Sequence, residues 1–257
     1  MSPAYPRELS RAFLDAEVVR NYRYRRPYPS ETFEILEGLL VEPRTVLDAG
    51  SGTGALTIGL ARFAERVDAV DPSPAMLREA RRMPGADSEH IRWIDGAAET
   101  ARLDPPYGLV TAGASIHWMD RDLVMPRFRE ALAPGGFLAI VNSESNYGEQ
   151  KWRSEFIDLI TTFSPVSHHL EFVDLVRSLE ASGHFVGVGE RTATPVPYEQ
   201  SIDEYMAMLA STSALSRITL GDRADDFVRA ARALFARHAL TSVRAELVAE
   251  VVWGRPP

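Results

Sequence analysis

The stretch TVLDAGSGTGALTIGLARF, Thr45 to Phe63, constrains the fold more than any other part of this sequence. A short run of buried-strand character, TVLDAG, passes directly into a loop with glycines at 50, 52 and 54. A helical pattern burying Leu56, Leu60 and Phe63 follows. Glycine lets the main chain take positive φ and approach a ligand closely. A turn of this kind, from strand to helix, aims backbone N–H groups at the carboxyl end of a sheet. The same alternation continues downstream. RVDAVD reads as a second strand, and SPAMLREARRM as a helix with Pro74 in its first turn, where the missing N–H costs nothing. HIRWID, YGLVTAGAS and GFLAIVNSE read as third, fourth and fifth strands; the helix RDLVMPRFREALA, stopped at Pro134-Gly135-Gly136, separates the last two. Strands alternating with crossover helices predict an α/β fold, a mostly parallel sheet with helices on both faces.

The flanks differ from this core. Leu9 to Asn21 has apolar residues at helical spacing, and Ser30 stands where it can cap a second helix through Leu40. After Glu144, LEFVDLVRSLEASG reads as a helix ended by Gly183 and HFVGVGERTA as a strand. Ser201 to Ser242 is a mainly helical block before a last strand, AELVAEVVWG. That block is too long for a structureless loop. The expected organisation is a helical lid over 1–43, a ligand-binding core over 44–144, a variable substrate segment with a core helix and strand over 145–200, a helical cap over 201–243, and a final core strand over 244–257.

Composition narrows the function classes. The sequence is 45% hydrophobic and 25% charged, as in ordinary globular proteins, and has no cysteine. Disulfides, thiolate metal sites and a cysteine nucleophile are therefore excluded, and no His/Asp/Glu cluster has metal-ligand spacing. No apolar run approaches the roughly 18 to 20 residues that span a bilayer, and the first residues lack the build of a secretory signal. A cytoplasmic protein without membrane partners is expected. The net charge of −8 argues against a nucleic-acid binder, whose affinity rests on Lys and Arg neutralising phosphates. One local exception is RNYRYRRPYP, Arg20 to Pro29, where four arginines interleave with aromatics.

Three further features bear on the ligand. The glycine loop alone is ambiguous, because Gly50-x-Gly52-x-x-Ala55 also satisfies the dinucleotide fingerprint. Asp71 ends the second strand, where a carboxylate can accept hydrogen bonds from vicinal ribose hydroxyls. WIDGAAE, Trp93 to Glu99, ends the third strand with Asp95, Gly96, Ala97 and Ala98, a composition that suits a flat adenine ring. GASIHWMD ends the fourth strand with Gly113 and Ala114 leaving room beside the loop, then His117 and Trp118 at the mouth.

In this order and spacing, these pieces resemble the class I S-adenosylmethionine-dependent methyltransferases over roughly Arg44 to Val141. The likeness is closest to the small-molecule group that includes ubiquinone/menaquinone-biosynthesis and trans-aconitate methyltransferases. The resemblance implies a Rossmann-like seven-stranded sheet whose last strand is antiparallel and inserted between strands five and six. It implies S-adenosylmethionine as cofactor. Asp48, Gly50, Ser51, Gly52, Thr53 and Gly54 would hold its methionine part, Asp71 its ribose. Pro72, Ser73 and Met76 would line ribose and adenine, with Asp95 to Ala98, Gly113 and Ala114 around them. Tyr22 would close on the methionine end and Arg26 would pair with the cofactor carboxylate, although which of Arg23, Arg25 and Arg26 points inward stays open. His117 is the candidate base, with a cofactor contact as its alternative; Trp118, Tyr147, His168 and Tyr205 are candidate substrate contacts. The acceptor expected is a small molecule, and the protein a monomer or homodimer. An NAD-dependent oxidoreductase explains the glycines and Asp71 but not DGAAE or IHWMD. A protein that keeps the cofactor for regulation or another reaction is the other alternative.

Overall fold

The protein is described here by a computed structural model covering residues 7–164 and 172–257. Its central strand β1 (Thr45–Ala49) is buried throughout, and successive residues alternate between two cores. Leu47 and Ala49 face one core with Val110, Ala112 and Phe128. Val46 faces the other with Val67, Leu109, Leu36 and Leu60. A strand buried on both faces needs apolar side chains in both registers, which is why TVLDA shows no polar alternation. β2 (Arg66–Asp71), β3 (Ile91–Asp95), β4 (Tyr107–Gly113) and β5 (Leu132–Asn146) complete the parallel part. β6 (Val186–Thr192), β7 (Val196–Ser201) and β8 (Ser242–Arg255) complete the sheet, in the order β3-β2-β1-β4-β5-β8-β6 with β7 also on β8. β8 runs antiparallel between β5 and β6, as expected.

The strand count corrects the sequence reading: the described residues form eight strands, not seven. The additional strand β7 lies in PVPYEQS and pairs with the first half of β8, from Val196 opposite Leu247 to Ser201 opposite Ser242, while β6 pairs with the second half. Pro195 and Pro197 mask its strand character, and an edge position tolerates the missing N–H groups. Helix boundaries differ too. Residues Arg7–Leu14 form a 3-10 helix, and α1 (Ala16–Asn21) starts afresh because the Asp15 side chain accepts from Glu17 and Val18 N–H at 2.8 and 3.1 Å. Ser30 caps nothing. It is the first residue of α2 (Ser30–Leu39), and Pro29, with φ −52°, directs the chain into the helix. The helix after the glycine loop is short, α3 (Thr57–Leu60). Gly59 within it lets the Phe33 ring of α2 come within 2.0 Å of where a Cβ would stand.

The remaining helices are α4 (Pro74–Ala80), α5 (Arg121–Ala131), α6 (Lys151–Phe163), α7 (Phe172–Ala181), α8 (Ile202–Ala210), α9 (Arg217–Leu220) and α10 (Ala224–Arg237). A third core joins α6, α8 and α10 through Trp152, Phe156, Tyr205, Phe227 and Phe235. Its rings meet edge-on or tilted, with Phe156 and Phe235 centroids 5.1 Å apart. This helical unit is tied to the segment before β1. Gln200 donates to the Tyr24 carbonyl at 2.9 Å, and Arg25 donates to the hydroxyl and carbonyl of Ser211 at 2.7 and 2.9 Å. No described helix is long and apolar enough to cross a membrane.

Candidate active site

The order of strands reverses at β1, with β2 on one side and β4 on the other, both parallel to it, so the carboxyl ends of β1, β2 and β4 open a crevice. The glycine loop forms its floor. Gly50 and Gly52 have φ of +74° and +56°, in the left-handed region that favours glycine. At Gly50 a Cβ would stand 2.5 Å from Cβ of Ser115, whose hydroxyl donates to the Ala49 carbonyl at 2.7 Å. The loop is pinned to β2. Gly50 and Ser51 N–H donate to the Val70 carbonyl at 2.8 and 3.0 Å, and Gly52 N–H donates to one Asp71 carboxylate oxygen at 2.8 Å. The other Asp71 oxygen accepts from Ser73 N–H at 2.8 Å. Each carboxylate oxygen has a second lone pair, so Asp71 is held in place and can still accept from a ligand.

Two adjoining cavities occupy the crevice. The larger, about 310 Å³, is lined by Asp71, Pro72, Ser73, Met76, Ala97, Ala98 and Trp118, with Tyr22, Gly50, Gly52, Gly113 and Ala114 at its inner end. The smaller, about 130 Å³, shares those last five residues and continues past Asp48, Ser51, Thr53, Arg25, Arg26 and Tyr28 to Met208 of α8. Most of the residues expected to bind cofactor are thus brought together. Four, His117 among them, are not among the lining residues. Gly54 packs on Trp93, where a Cβ would come within 2.6 Å of the ring. Asp95, exposed at the end of β3, pairs with Asp71 in the sheet register and its charge helps raise the Asp71 pKa, while Gly96 N–H donates to the Asp71 carbonyl at 3.1 Å.

His117 lies in neither cavity. It lines a third one, about 170 Å³, with Ile116, Asn142, Ser143, Glu144 and Phe172. Ala114 belongs to all three, and takes positive φ, +48°, without being glycine. Burial, reinforced by the Arg121 charge, lowers the His117 pKa to about 4. Of the expected substrate contacts, Trp118 sits in the larger cavity, edge-on to Phe13 at 5.4 Å. Tyr147 and Tyr205 belong to the helical unit, their hydroxyls 3.3 Å apart, and His168 lies outside the described residues.

The three arginines are now distinguishable. Arg23, itself exposed, pairs with the buried Glu79 at 2.5 Å, and Arg25 is committed to Ser211. Arg26 donates to the Tyr147 hydroxyl, with its guanidinium 5.5 and 5.9 Å from the centroids of Tyr147 and Tyr205. Among the described residues it has no carboxylate partner.

Several lining residues escaped the sequence reading. Ser10, Arg11, Phe13 and Leu14 form one wall of the larger cavity, because the Ser73 hydroxyl donates to the Phe13 carbonyl at 2.9 Å and ties the 3-10 helix there. Leu14, 61% exposed, is an apolar side chain at the rim of that cavity. Glu99, Ser115 and Met119 also line it, and Tyr28 and Met208 line the smaller cavity.

Beneath the loop, Asp48 is buried. Its carboxylate accepts from the Thr57 hydroxyl at 2.5 Å and the Thr111 hydroxyl at 2.9 Å. Burial raises its pKa to about 6 against the pull of those two bonds, with the Asp71 charge adding to the rise. Burial also raises Asp71, opposed by the N–H groups of Ser73 and Gly52. Two carboxylates flanking a glycine loop make its surroundings attractive to cations.

Fold and cleft together define a Rossmann-like protein with an open crevice at the carboxyl ends of β1, β2 and β4. Comparison with known proteins narrows this further: residues 46–136 match the model of a methyltransferase domain. An uncharacterised methyltransferase of Mycobacterium tuberculosis is 35% identical over 136 residues, 52% of this chain and 53% of its own length. A trans-aconitate 2-methyltransferase of Variovorax paradoxus is 39% identical over 126 residues, 47% of this chain and 46% of its own. The chain thus spans about half the length of the curated relatives it matches. Among solved structures, a proposed type II methyltransferase from Anaeromyxobacter dehalogenans is 25% identical with a TM-score of 0.64, over 90% of this chain and 97% of that one. An S-adenosylmethionine-dependent methyltransferase from Geobacter sulfurreducens, solved with S-adenosylhomocysteine, shares the fold at 17% identity and a TM-score of 0.54, over 96% of this chain and 98% of that one.

Proposed function

We propose that this chain is an S-adenosylmethionine-dependent methyltransferase acting on a small-molecule acceptor. The observation that carries the reading is the pair of adjoining cavities, about 310 and 130 Å³, that meet at Gly50, Gly52, Gly113 and Ala114. Their sequence of linings suits a nucleoside continuing into an amino-acid tail. The smaller cavity offers groups that such a tail would complete: the Arg26 guanidinium and the Ser51 hydroxyl, a buried oxygen without a hydrogen-bond partner among the described residues. Charge separates this ligand from a dinucleotide. A pyrophosphate on the glycine loop would sit against Asp48 and Asp71, whereas an ammonium and a sulfonium are attracted there. The acidic balance of the chain and the trans-aconitate 2-methyltransferase among its relatives support a small acceptor rather than nucleic acid.

The cofactor would supply a methyl group already activated on a cationic sulfur. The chain's own task is then alignment. Asp71 would hold the ribose hydroxyls, and Pro72, Met76 and Ala97 the adenine. Asp48 would hold the ammonium and Arg26 the carboxylate, under Tyr22. Orientation of this kind contributes roughly 7–11 kcal/mol in favourable intramolecular reactions. His117 fits poorly as a base: with a conjugate-acid pKa of about 4 it accepts protons weakly near neutrality. We assign it to the wall of the third cavity, and infer an acceptor whose nucleophile needs little deprotonation. Incubating the protein with methyl-labelled S-adenosylmethionine and a fractionated metabolite extract tests the assignment. Label should appear in a compound of low mass whose nucleophile is already ionised near neutrality, such as a carboxylate. Transfer only to protein or RNA would contradict it.

A further inference from the structure

We propose that the hydroxyl of Tyr28 contacts the amino-acid tail of the bound nucleoside, an assignment that rests on the cofactor reading above. Tyr28 stands between Pro27 and Pro29 just before α2. The fixed φ of each proline, and the restriction each places on the residue before it, hold that stretch in one path. The ring packs on the core that contains Leu36, Val46, Leu56 and Leu109. The hydroxyl reaches the last residue of β4: it lies 2.9 Å from where a Cβ on Gly113 would stand. Tyr28, Asp48, Ser51, Gly113 and Arg26 all line the smaller cavity.

Among the described residues the Tyr28 hydroxyl has no hydrogen-bond partner. Tyr28 is half-buried and lines the smaller cavity, so its hydroxyl keeps both its donor and its acceptor capacity for a ligand atom there. Burial, then the negative charges of Asp48 and of Tyr22 when ionised, hold its proton more firmly than usual, with Arg25 opposing them. The phenol therefore stays neutral, able to donate to a carboxylate or accept from an ammonium, and it is no base. Met208 enters the same cavity from α8, so the tail would lie between the element before β1 and the helical unit.

Two ligands separate this contact from a structural one. S-adenosylhomocysteine carries the tail; 5′-methylthioadenosine carries the same nucleoside without it. Tyr28→Phe keeps the ring and removes only the hydroxyl. By calorimetry the variant should bind S-adenosylhomocysteine about tenfold more weakly than the wild type, the lower end for one hydrogen bond to a charged group, with 5′-methylthioadenosine unchanged. Unchanged affinity for both ligands, or equal loss for both, would overturn the proposal. A wild-type protein that binds neither ligand would instead remove the cofactor reading on which it rests.

Discussion

Replacing Asp71 by alanine should weaken S-adenosylhomocysteine binding about 100-fold, the largest effect of any single substitution considered. Two hydrogen bonds from ribose hydroxyls to a charged acceptor, at about 1.5 kcal/mol each, account for roughly 3 kcal/mol. The same carboxylate anchors the floor of the cleft, since Gly52 and Ser73 N–H groups donate to it at 2.8 Å. Removing it leaves both donors without their acceptor and frees the loop. 5′-Methylthioadenosine should lose affinity in parallel, because the ribose is common to both ligands. Circular dichroism separates a folded variant from an unfolded one. A folded Asp71→Ala protein with affinity within threefold of wild type would contradict the ribose assignment.

Lowering the pH from 7 to 5 should weaken S-adenosylhomocysteine binding about tenfold while leaving the pH dependence of 5′-methylthioadenosine smaller by that factor. The cause is Asp48, whose pKa burial raises to about 6. The sign follows from the ligand's ammonium. A cation beside the carboxylate favours its ionised form, so the bound state has the lower pKa. Above pH 6 the free protein already carries the carboxylate, and binding costs no proton release. Below pH 6 binding must expel a proton, and each further unit of pH costs close to a factor of ten in affinity. Asp71, whose pKa is also raised, affects both ligands alike, so the ratio of the two affinities isolates Asp48. A ratio that is flat across this range would remove Asp48 as the ammonium partner.

The parts of this architecture that were legible in the sequence are those set by local rules. TVLDAGSGTG reads as strand and loop because burial on both faces and positive φ each select residue types directly. Asp71 was legible because it is the last residue of a strand whose neighbours fix its place. What could not be read depends on distant partners. Three arginines within four positions look alike, and only Glu79, Ser211 and Tyr147, far along the chain, separate Arg23, Arg25 and Arg26. The wall formed by Phe13 and Leu14 depends on a bond from Ser73, 60 residues away. His117 illustrates the converse. Its place at the end of β4 suggested the cofactor cleft, but Ser115 and Ala114 turn the chain so that the imidazole lines another cavity. β7 was hidden because proline normally interrupts a sheet, and only its place on the outer half of a long β8 makes it a strand.

The central claim is that the crevice above β1, β2 and β4 takes a sulfonium nucleoside rather than a nicotinamide dinucleotide. Calorimetric titration of the wild-type protein with S-adenosylhomocysteine and, separately, with NADH compares the two directly. One equivalent of S-adenosylhomocysteine should bind, with no heat from NADH at the same concentration. Saturable NADH binding, with no response to S-adenosylhomocysteine, would contradict the account.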